Sequence, residues 1–340
     1  MTVRAYLLRR VWLLVFVLIG ISIITFVLAR VVPADPAALY AGPQARGPAI
    51  AAARKILHMN QPLYVQYLAY MRDLVRGDWG TSLRTHRPVL GDIRTFLPLS
   101  LQLVAGAMLL ATVAGIALGA FAAHLKGGVV DFAMRLFAVG GVSMPSFWLA
   151  MMLQIVFFRV LHVLPVAGAM SITTQLSNPI THITGMPLLD SLLTGNFTAF
   201  WDSFVHFILP VLALAAYPAG VLMRMTRSTM LESLGQDYVR MAEAMGVPKR
   251  VIIYRYALKN SLAPVFTVLG LMFAYSIIGA FFIELIFAWP GLGSYALMSI
   301  LSLDYPAIMG VTLFIAFVYV VVNLIVDLLI AWLDPRIVLS

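Results

Sequence analysis

The sequence predicts an all-α polytopic membrane protein with six transmembrane helices and a folded first loop outside the membrane. Three observations carry this. Of the 340 residues, 62% are hydrophobic and only 11% are charged, against roughly 45–50% and about 25% in an ordinary soluble domain. A water-soluble globule of this length would lack the charged residues to cover its surface, which excludes a soluble enzyme, a disordered chain and a nucleic-acid binder. The apolar residues are also gathered into runs, of which Val11–Ala29 and Leu99–Ala123 contain no charge, and about 20 apolar residues suffice to cross a bilayer. Finally, the lysines and arginines behind the net charge of +9 are unevenly placed along the chain. There is no cysteine, so disulfides, thiolate metal sites and cysteine nucleophiles are all excluded.

The first span is Val11–Ala29. Arg9 and Arg10 flank it, but the apolar run exceeds the about 7–15 residues of a signal peptide and no A-x-A site precedes Arg30, so it reads as a retained anchor. The second is Leu99–Ala123. The third, Leu136–Phe158, contains Pro145; the fourth, Ser203–Met223, contains His206, Pro210 and Pro218. The fifth, Ser261–Ile283, ends at Glu284, and the sixth, Pro306–Leu333, is interrupted late by Asp327. The spans are helices because lipid satisfies no backbone N–H or C=O group, and their prolines mark kinks. Residues 1–98 are then an anchor plus an outer loop, 99–333 a core of five spans, and 334–340 a tail.

Cation placement sets the orientation. With the N-terminus in the cytoplasm, the segment 224–260 also faces inward, and it carries Arg224, Arg227, Arg240, Lys249, Arg250, Arg255 and Lys259. The outward loops 163–202 and 287–305 hold no lysine or arginine. The first outward loop, 30–98, holds nine, but long loops translocate largely regardless of charge. Both termini are thus expected in the cytoplasm, and the pI near 9.9 is mainly a topology signal.

The first loop is too long for a bare connection. After Pro33-Ala34-Asp35-Pro36, residues Ala49–Leu57 and Leu63–Val75 have the pattern of short amphipathic helices, the second with Leu63, Tyr67, Tyr70 and Leu74 on one face. Gly77-Asp78-Trp79-Gly80 reads as a turn. This describes a folded cap on the bilayer, compatible with a docking surface for an outside partner. The 163–202 loop, rich in Thr, Ser, Gly, Asn and Pro, is either flexible or ligand-contacting.

The inward segment is the most informative. Leu231-Glu232-Ser233-Leu234-Gly235 reads as a helix end with Gly at C′, and Asp237 as the cap of a new helix, Tyr238–Met245, closed by Gly246. Pro248 suits the first turn of the next helix. A helix of about two turns, roughly 12 Å, thus stands between two spans. It offers Val239, Ala242 and Met245 as small apolar contacts and Arg240 and Glu243 as polar ones. It reads either as a solvated hairpin loop or as a rigid element docking into a partner.

Tyr238-Val239-Arg240-Met241-Ala242-Glu243-Ala244-Met245-Gly246, followed by Tyr256-Ala257-Leu258-Lys259-Asn260, resembles the EAA loop of ABC importer permeases, most closely their dipeptide/oligopeptide/nickel branch. The resemblance runs over nearly the whole chain: Gln61-Pro62-Leu63-Tyr64-Val65-Gln66-Tyr67 and Gly77–Leu83 in the first loop, Ser143-Met144-Pro145-Ser146-Phe147-Trp148 in the third span, Glu284–Gly293 and Asp304-Tyr305-Pro306 around the last outer loop, and Asp327 with Asp334-Pro335-Arg336 near the C-terminus. The general pattern has Glu-Ala-Ala where this chain has Arg240-Met241-Ala242, and Pro in place of Lys259; the branch often departs in these ways.

The resemblance implies the MetI-like, type I ABC importer permease fold and a place in a bacterial or archaeal inner membrane. It implies one half of a pathway importing dipeptides, oligopeptides or similar small solutes, shared with a second related permease, in a heterodimer. Of two cytoplasmic ATP-binding subunits, one would take the coupling helix of this chain in a cleft, and an extracytoplasmic binding protein would deliver the solute. The coupling contacts would be Asp237, Tyr238, Arg240, Ala242, Glu243, Ala244 and Gly246. The pathway would involve Ser143, Pro145, Phe147, Trp148, Met223, Ser276 and Glu284, and binding-protein docking Gln61, Tyr64, Asp78, Trp79, Trp289 and Asp304. ATP and Mg would sit on the partners, with no metal or cofactor in this chain. Independently, none of the four lysines follows a glycine, so there is no G-x-x-x-x-G-K-[ST] phosphate loop.

The rivals fit less well. An ion-coupled secondary carrier would need charged relays at mid-membrane and often shows internal repeats. An intramembrane hydrolase would need a metal or nucleophile constellation, yet H-E-x-x-H and G-x-S-x-G are both missing. Of the ionisable groups near the spans, Glu284 reads as a carboxylate at the outer interface beside Trp289 or as a functional group. Asp327 suggests a structural ion pair, Arg159 a snorkelling cation and His206 a satisfied interfacial histidine.

Overall fold

The computed structural model describes residues 3–31, 36–42, 45–56 and 59–333. Among these there is no strand, only an isolated antiparallel bridge between Thr81 and Pro88; the rest is helix and turn. Pro33-Ala34-Asp35, Leu57, the Asp327 side chain and the tail 334–340 with Asp334-Pro335-Arg336 lie outside the described residues.

Among the described residues, five stretches are long and apolar enough to cross a bilayer: Arg9–Ala29 within α1 (Val3–Val31), α5 (Val89–His124), α10 (Phe197–Leu234), Lys249–Ile286, and Tyr305–Val326 within α15 (Tyr305–Leu333). The fourth is a composite: α12 (Lys249–Val251), a π-helical stretch Ile252–Leu258, then α13 (Lys259–Ile286). Several helices outrun their apolar cores. The 38 residues of α10 rise about 57 Å, nearly twice the roughly 30 Å hydrocarbon layer, and the helix continues unbroken through Pro210 and Pro218.

The third span differs from expectation. In place of one kinked helix over 136–158, the chain forms α6 (Val129–Ser143), then α7 (Ser146–Gln154) continued by a π-helical Ile155–Val160, bent by 106°. Proline explains the size of the bend. It disfavours helical backbone in the residue before it. Met144 is therefore extended (φ −83°, ψ 128°), and so is Pro145 itself (φ −58°, ψ 133°). Two consecutive extended residues turn the chain where one lost hydrogen bond would only kink it.

The chain divides into two compact units. One comprises the residues up to Leu97 together with Gly291–Val321. It contains α1, the loop helices α2 (Pro36–Ala41), α3 (Gly47–Ile56) and α4 (Leu63–Val75), and α14 (Leu292–Leu301). The bounds of α4 match the expectation; α2 does not appear in the sequence pattern. The buried side of α4 is set by Gln66, Tyr67 and Tyr70, with Leu63 left exposed. Tyr67 and Tyr70 both pack on Phe26 of α1, and Tyr67 Oη and Ser22 Oγ share a 2.7 Å hydrogen bond. A second cluster gathers Val89, Ile93, Leu292, Tyr295 and Val311, with Trp79 against it.

The other unit comprises Pro98–Pro290 and the described residues from Val322. Here α10 is central, and small residues let its backbone meet its neighbours directly. A Cβ added to Gly119 of α5 would come within 2.6 Å of the Met223 carbonyl oxygen, and one on Gly220 of α10 within 2.6 Å of that of Ala138 in α6. The 163–202 loop is built, with helices α8 (Ile172–Ser177) and α9 (Pro187–Leu193). Its anchor is the buried Asp190, which accepts from Thr184 N (2.7 Å), Thr184 Oγ1 (2.6 Å) and Gly185 N (3.0 Å). Burial pushes this carboxyl up, but those donors outweigh it and hold it below the usual carboxylate range.

Candidate functional site

The 224–260 segment is organised by its turns. Gly235, after the last residue of α10, is right-handed (φ −82°, ψ −6°), so the left-handed C′ conformation expected of it is not used; its N–H bonds back to Leu231 O and Glu232 O, each at 3.2 Å. The cap is also shifted. Gln236 takes the extended N-cap conformation, without a side-chain cap, and Asp237 is the first residue of α11 (Asp237–Ala244) rather than its cap. There its carboxylate meets the positive helix end and stands 3.6 Å from Arg240 Nη1. Pro248 likewise precedes α12 instead of lying in its first turn.

The C-terminus of α11 is a Schellman motif. Val247 N–H bonds Ala242 O (3.1 Å) and Gly246 N–H bonds Glu243 O (2.9 Å), with Gly246 left-handed at φ +73°, and Val247 packs in the same cluster as Ala242. At the other end, the Tyr238 hydroxyl hydrogen-bonds Ser233 Oγ at the end of α10, and Ser233 Oγ also reaches Ala257 O at 3.2 Å. An eight-residue helix, marginal on its own, is therefore fixed at both ends.

Its faces are distinct. Val239 and Ala242 are buried on Ile252, with Leu234 and Val247 around them. Ala242 thus holds the helix to its own chain and is not presented outward, because it lies three residues from Val239 on the packed side. Asp237, Tyr238, Arg240, Glu243, Ala244 and Gly246 are exposed. Met241 and Met245, each 63% exposed, form the apolar part of that face. Met241 is absent from the expected contacts, although its spacing from Asp237 and Met245 marks it.

The expected pathway residues separate into two groups. Ser143, Pro145, Phe147 and Trp148 lie together at the α6–α7 break, and all four are exposed. Met223, Ser276 and Glu284 are buried within this chain, so they line no open surface. Met223 packs with Ala122 and Ala138. Ser276 Oγ donates to Met272 O (2.8 Å) and contacts Met108 Sδ (3.1 Å). Glu284 Oε1 accepts from Ser100 Oγ at 2.5 Å. His206 is satisfied as expected, with Nδ1 2.8 Å from Asp202 O.

The expected docking residues are also divided. Gln61, Tyr64 and Asp78 are exposed and Trp79 is half-buried. Trp289 and Asp304 are fully buried, which removes them from any docking surface. Trp289 donates Nε1–H to Leu99 O at 3.0 Å and packs against Phe207. Asp304 accepts from Ser82 Oγ (2.5 Å), Arg84 N and Ala307 N (both 3.2 Å), so it closes the 81–88 turn. Beside it Asp92 accepts from Thr85 Oγ1 (2.5 Å) and Tyr295 Oη (3.0 Å). No group of three or more His, Asp or Glu side chains among the described residues is arranged to hold a metal ion.

A short helix fixed at both ends stands between two stretches long and apolar enough to cross a membrane, which is the architecture of a polytopic membrane component. The chain belongs to the family of binding-protein-dependent transport system inner membrane components, whose model matches residues 115–339, while that of the family's N-terminal part matches residues 3–104. It is 44% identical over 337 residues (99% of this chain, 98% of the other) to an Escherichia coli protein designated "Probable D,D-dipeptide transport system permease protein DdpB". It is 42% identical over 333 residues (98% and 99%) to the dipeptide transport system permease protein DppB of Alkalihalophilus pseudofirmus. It is 34% identical over 333 residues (98% of each) to the glutathione transport system permease protein GsiC of Salmonella choleraesuis. The chain is a permease component of an ABC importer, not an enzyme.

Proposed function

We propose that this chain is one of two related permease subunits of an ATP-driven importer of dipeptides or other short peptides, and that α11 is its coupling helix. The substrate class comes from the relatives, two named for dipeptides and one for glutathione. The observation that carries the coupling role is α11 itself: an eight-residue helix fixed at both ends, joined to α10 without a flexible linker, and presenting Asp237, Tyr238, Arg240, Met241 and Ala244 outward. One of two ATP-binding subunits, which would hold ATP and Mg, would grip it. Their closure displaces α11 and shifts the membrane helices between packings, to the extent that ATP favours one packing over the other.

Both termini are placed in the cytoplasm, with α11 on that side and the first loop outside, where Gln61, Tyr64 and Asp78 remain available to a binding protein. Contacts agree with this sidedness: Arg227 meets Asp131, from the two inward segments, and Ser82 meets Asp304, from two outward ones. The test is purification of the tagged chain in mild detergent. The expected partners are a second permease and two ATP-binding chains, with ATPase activity rising when binding protein and dipeptide are added. Since the chain has no cysteine, a single Met241→Cys is expected to cross-link to an ATP-binding chain. Peptide uptake by the lone chain, driven by an ion gradient, would overturn the proposal.

A further inference from the structure

The ion pair Asp131–Arg227 involves none of the expected coupling, pathway or docking residues. Arg227 Nε and Nη2 donate to Asp131 Oδ1 and Oδ2 at 2.7 and 2.8 Å, and Gly127 N–H adds a third donor at 3.1 Å. Arg135 stands 3.7 Å away. The Asp131 side chain is 1% exposed and that of Arg227 21%. This two-pronged geometry fixes direction as well as distance. Burying such a pair adds little net stability, because desolvation offsets the attraction. Its placement suggests what it does instead.

Asp131 lies in the first turn of α6, and Arg227 two turns before the end of α10 that leads into α11. Farther along, α6 and α10 meet through glycine: an added Cβ on Gly141 would come within 2.8 Å of Ala216 O, and one on Gly220 within 2.6 Å of Ala138 O. At these points backbone approaches backbone, with the Val142 side chain also 2.9 Å from the Cβ added to Gly220 and Met223 packed on Ala138; such packing sets the spacing of the helices but makes no directional bond, and small shears of packed helices are a common mode of conformational change. The ion pair adds a directional register lock to this packing. From it, α6 runs about 18 Å to Ser143, where the chain turns through 106°.

We infer that Asp131 and Arg227 are a positioning pair that locks α6 to the α11-bearing end of α10, so that a displacement of α11 reaches the break at Ser143–Pro145. The inference rests on the coupling role proposed for α11. Coupling is reciprocal, so loss of the lock weakens both the drive from ATP to the break and the return signal from the binding protein to the ATPases.

The experiment uses the whole complex in proteoliposomes, with basal ATPase, binding-protein-stimulated ATPase and dipeptide uptake measured together. With Asp131→Asn, stimulation and uptake are expected to fall roughly tenfold, within the about 5–150-fold range of allosteric coupling, while assembly and basal ATPase hold. Arg227→Lys, which keeps the cation and loses the fork, is expected to fall between. Wild-type stimulation in both variants would overturn the inference. So would parallel loss of assembly and basal ATPase in both, which marks a merely structural pair. If Asp131→Asn alone fails to assemble, Arg227→Lys decides: an assembled complex with weakened stimulation supports the lock, and any other result overturns it. Failure of the unmodified complex to couple ATP to uptake would instead overturn the role of α11, so the two outcomes are distinguishable.

Discussion

Replacing Gly246 tests whether the shape of the α11 turn matters for coupling. Gly246 is left-handed, at φ +73°, and a Cβ built on it meets nothing within 4 Å. Crowding therefore contributes nothing, and the whole cost of a side chain is conformational. For an L-residue in this region that cost is about 1–2 kcal/mol, larger for a β-branched residue than for alanine, and small for asparagine, which tolerates the left-handed region. A gain of about 0.4–1 kcal/mol from stiffening the unfolded chain accrues only where the native backbone suits the new residue, and here it does not. Gly246→Val thus disfavours the native turn by about 2 kcal/mol, near the top of the range for one left-handed residue. Since 1.36 kcal/mol is a factor of ten, the ratio of the turn to its alternatives shifts by about 30-fold, and a turn favoured about tenfold in the wild type would lose roughly fourfold of its competent population. A Cβ at this position meets no neighbouring atom within 4 Å, so expression and insertion are expected to hold. The assay is binding-protein-stimulated ATPase and uptake in the reconstituted complex, with the order glycine, asparagine, alanine, valine expected from most to least active. Equal activity of Gly246→Asn and Gly246→Val would refute the reasoning, because the two differ mainly in tolerance of positive φ.

Two further outcomes follow from buried groups. Trp289→Ala removes a fully buried ring and leaves Leu99 O without its indole donor; a loss of about 3–5 kcal/mol is expected, read as a lower melting temperature in detergent. A docking role would instead lower binding-protein affinity with the melting temperature unchanged. Asp190 is held below the usual carboxylate range by its donors, against the opposing effect of burial. Its contribution to stability is therefore full above the unfolded carboxylate pKa and is lost as the pH falls through the folded value. Asp190→Asn is expected to melt lower at neutral pH and to show a shallower loss of stability on acidification; melting curves parallel to the wild type across that range would exclude the role.

How much of this was legible in the residues depends on what each feature requires. Most spans announce themselves because lipid leaves backbone groups to be satisfied within the helix, and the bounds of α4 were readable from its period, although Leu63 of its expected inner face is exposed and Gln66 is buried instead. The turn at Gly246 was legible because a left-handed position selects glycine. Asp237 and Gly235 show the limit of that logic. Asp is favoured both as an N-cap and in the first turn, and Gly is permitted in every backbone region, so residue type alone does not place either one. The break at Pro145 was visible as a site but not in its angle, since one proline produces a kink or a corner according to whether the preceding residue stays helical. Burial of Trp289, Asp304, Ser276 and Glu284 was not legible at all. Each is polar or amphipathic and sits near a span end or a helix contact, where a functional surface and a satisfied interior group have the same composition. What separates them is the partner (Leu99 O, Ser82, Met272 O and Ser100), and apart from Met272, one helical turn before Ser276, these partners are distant in sequence. The Asp131–Arg227 pair is the same case in reverse. A lone aspartate and one arginine among many carry no signal along the chain, and their meaning arises only when α6 and α10 bring them to 2.7 Å.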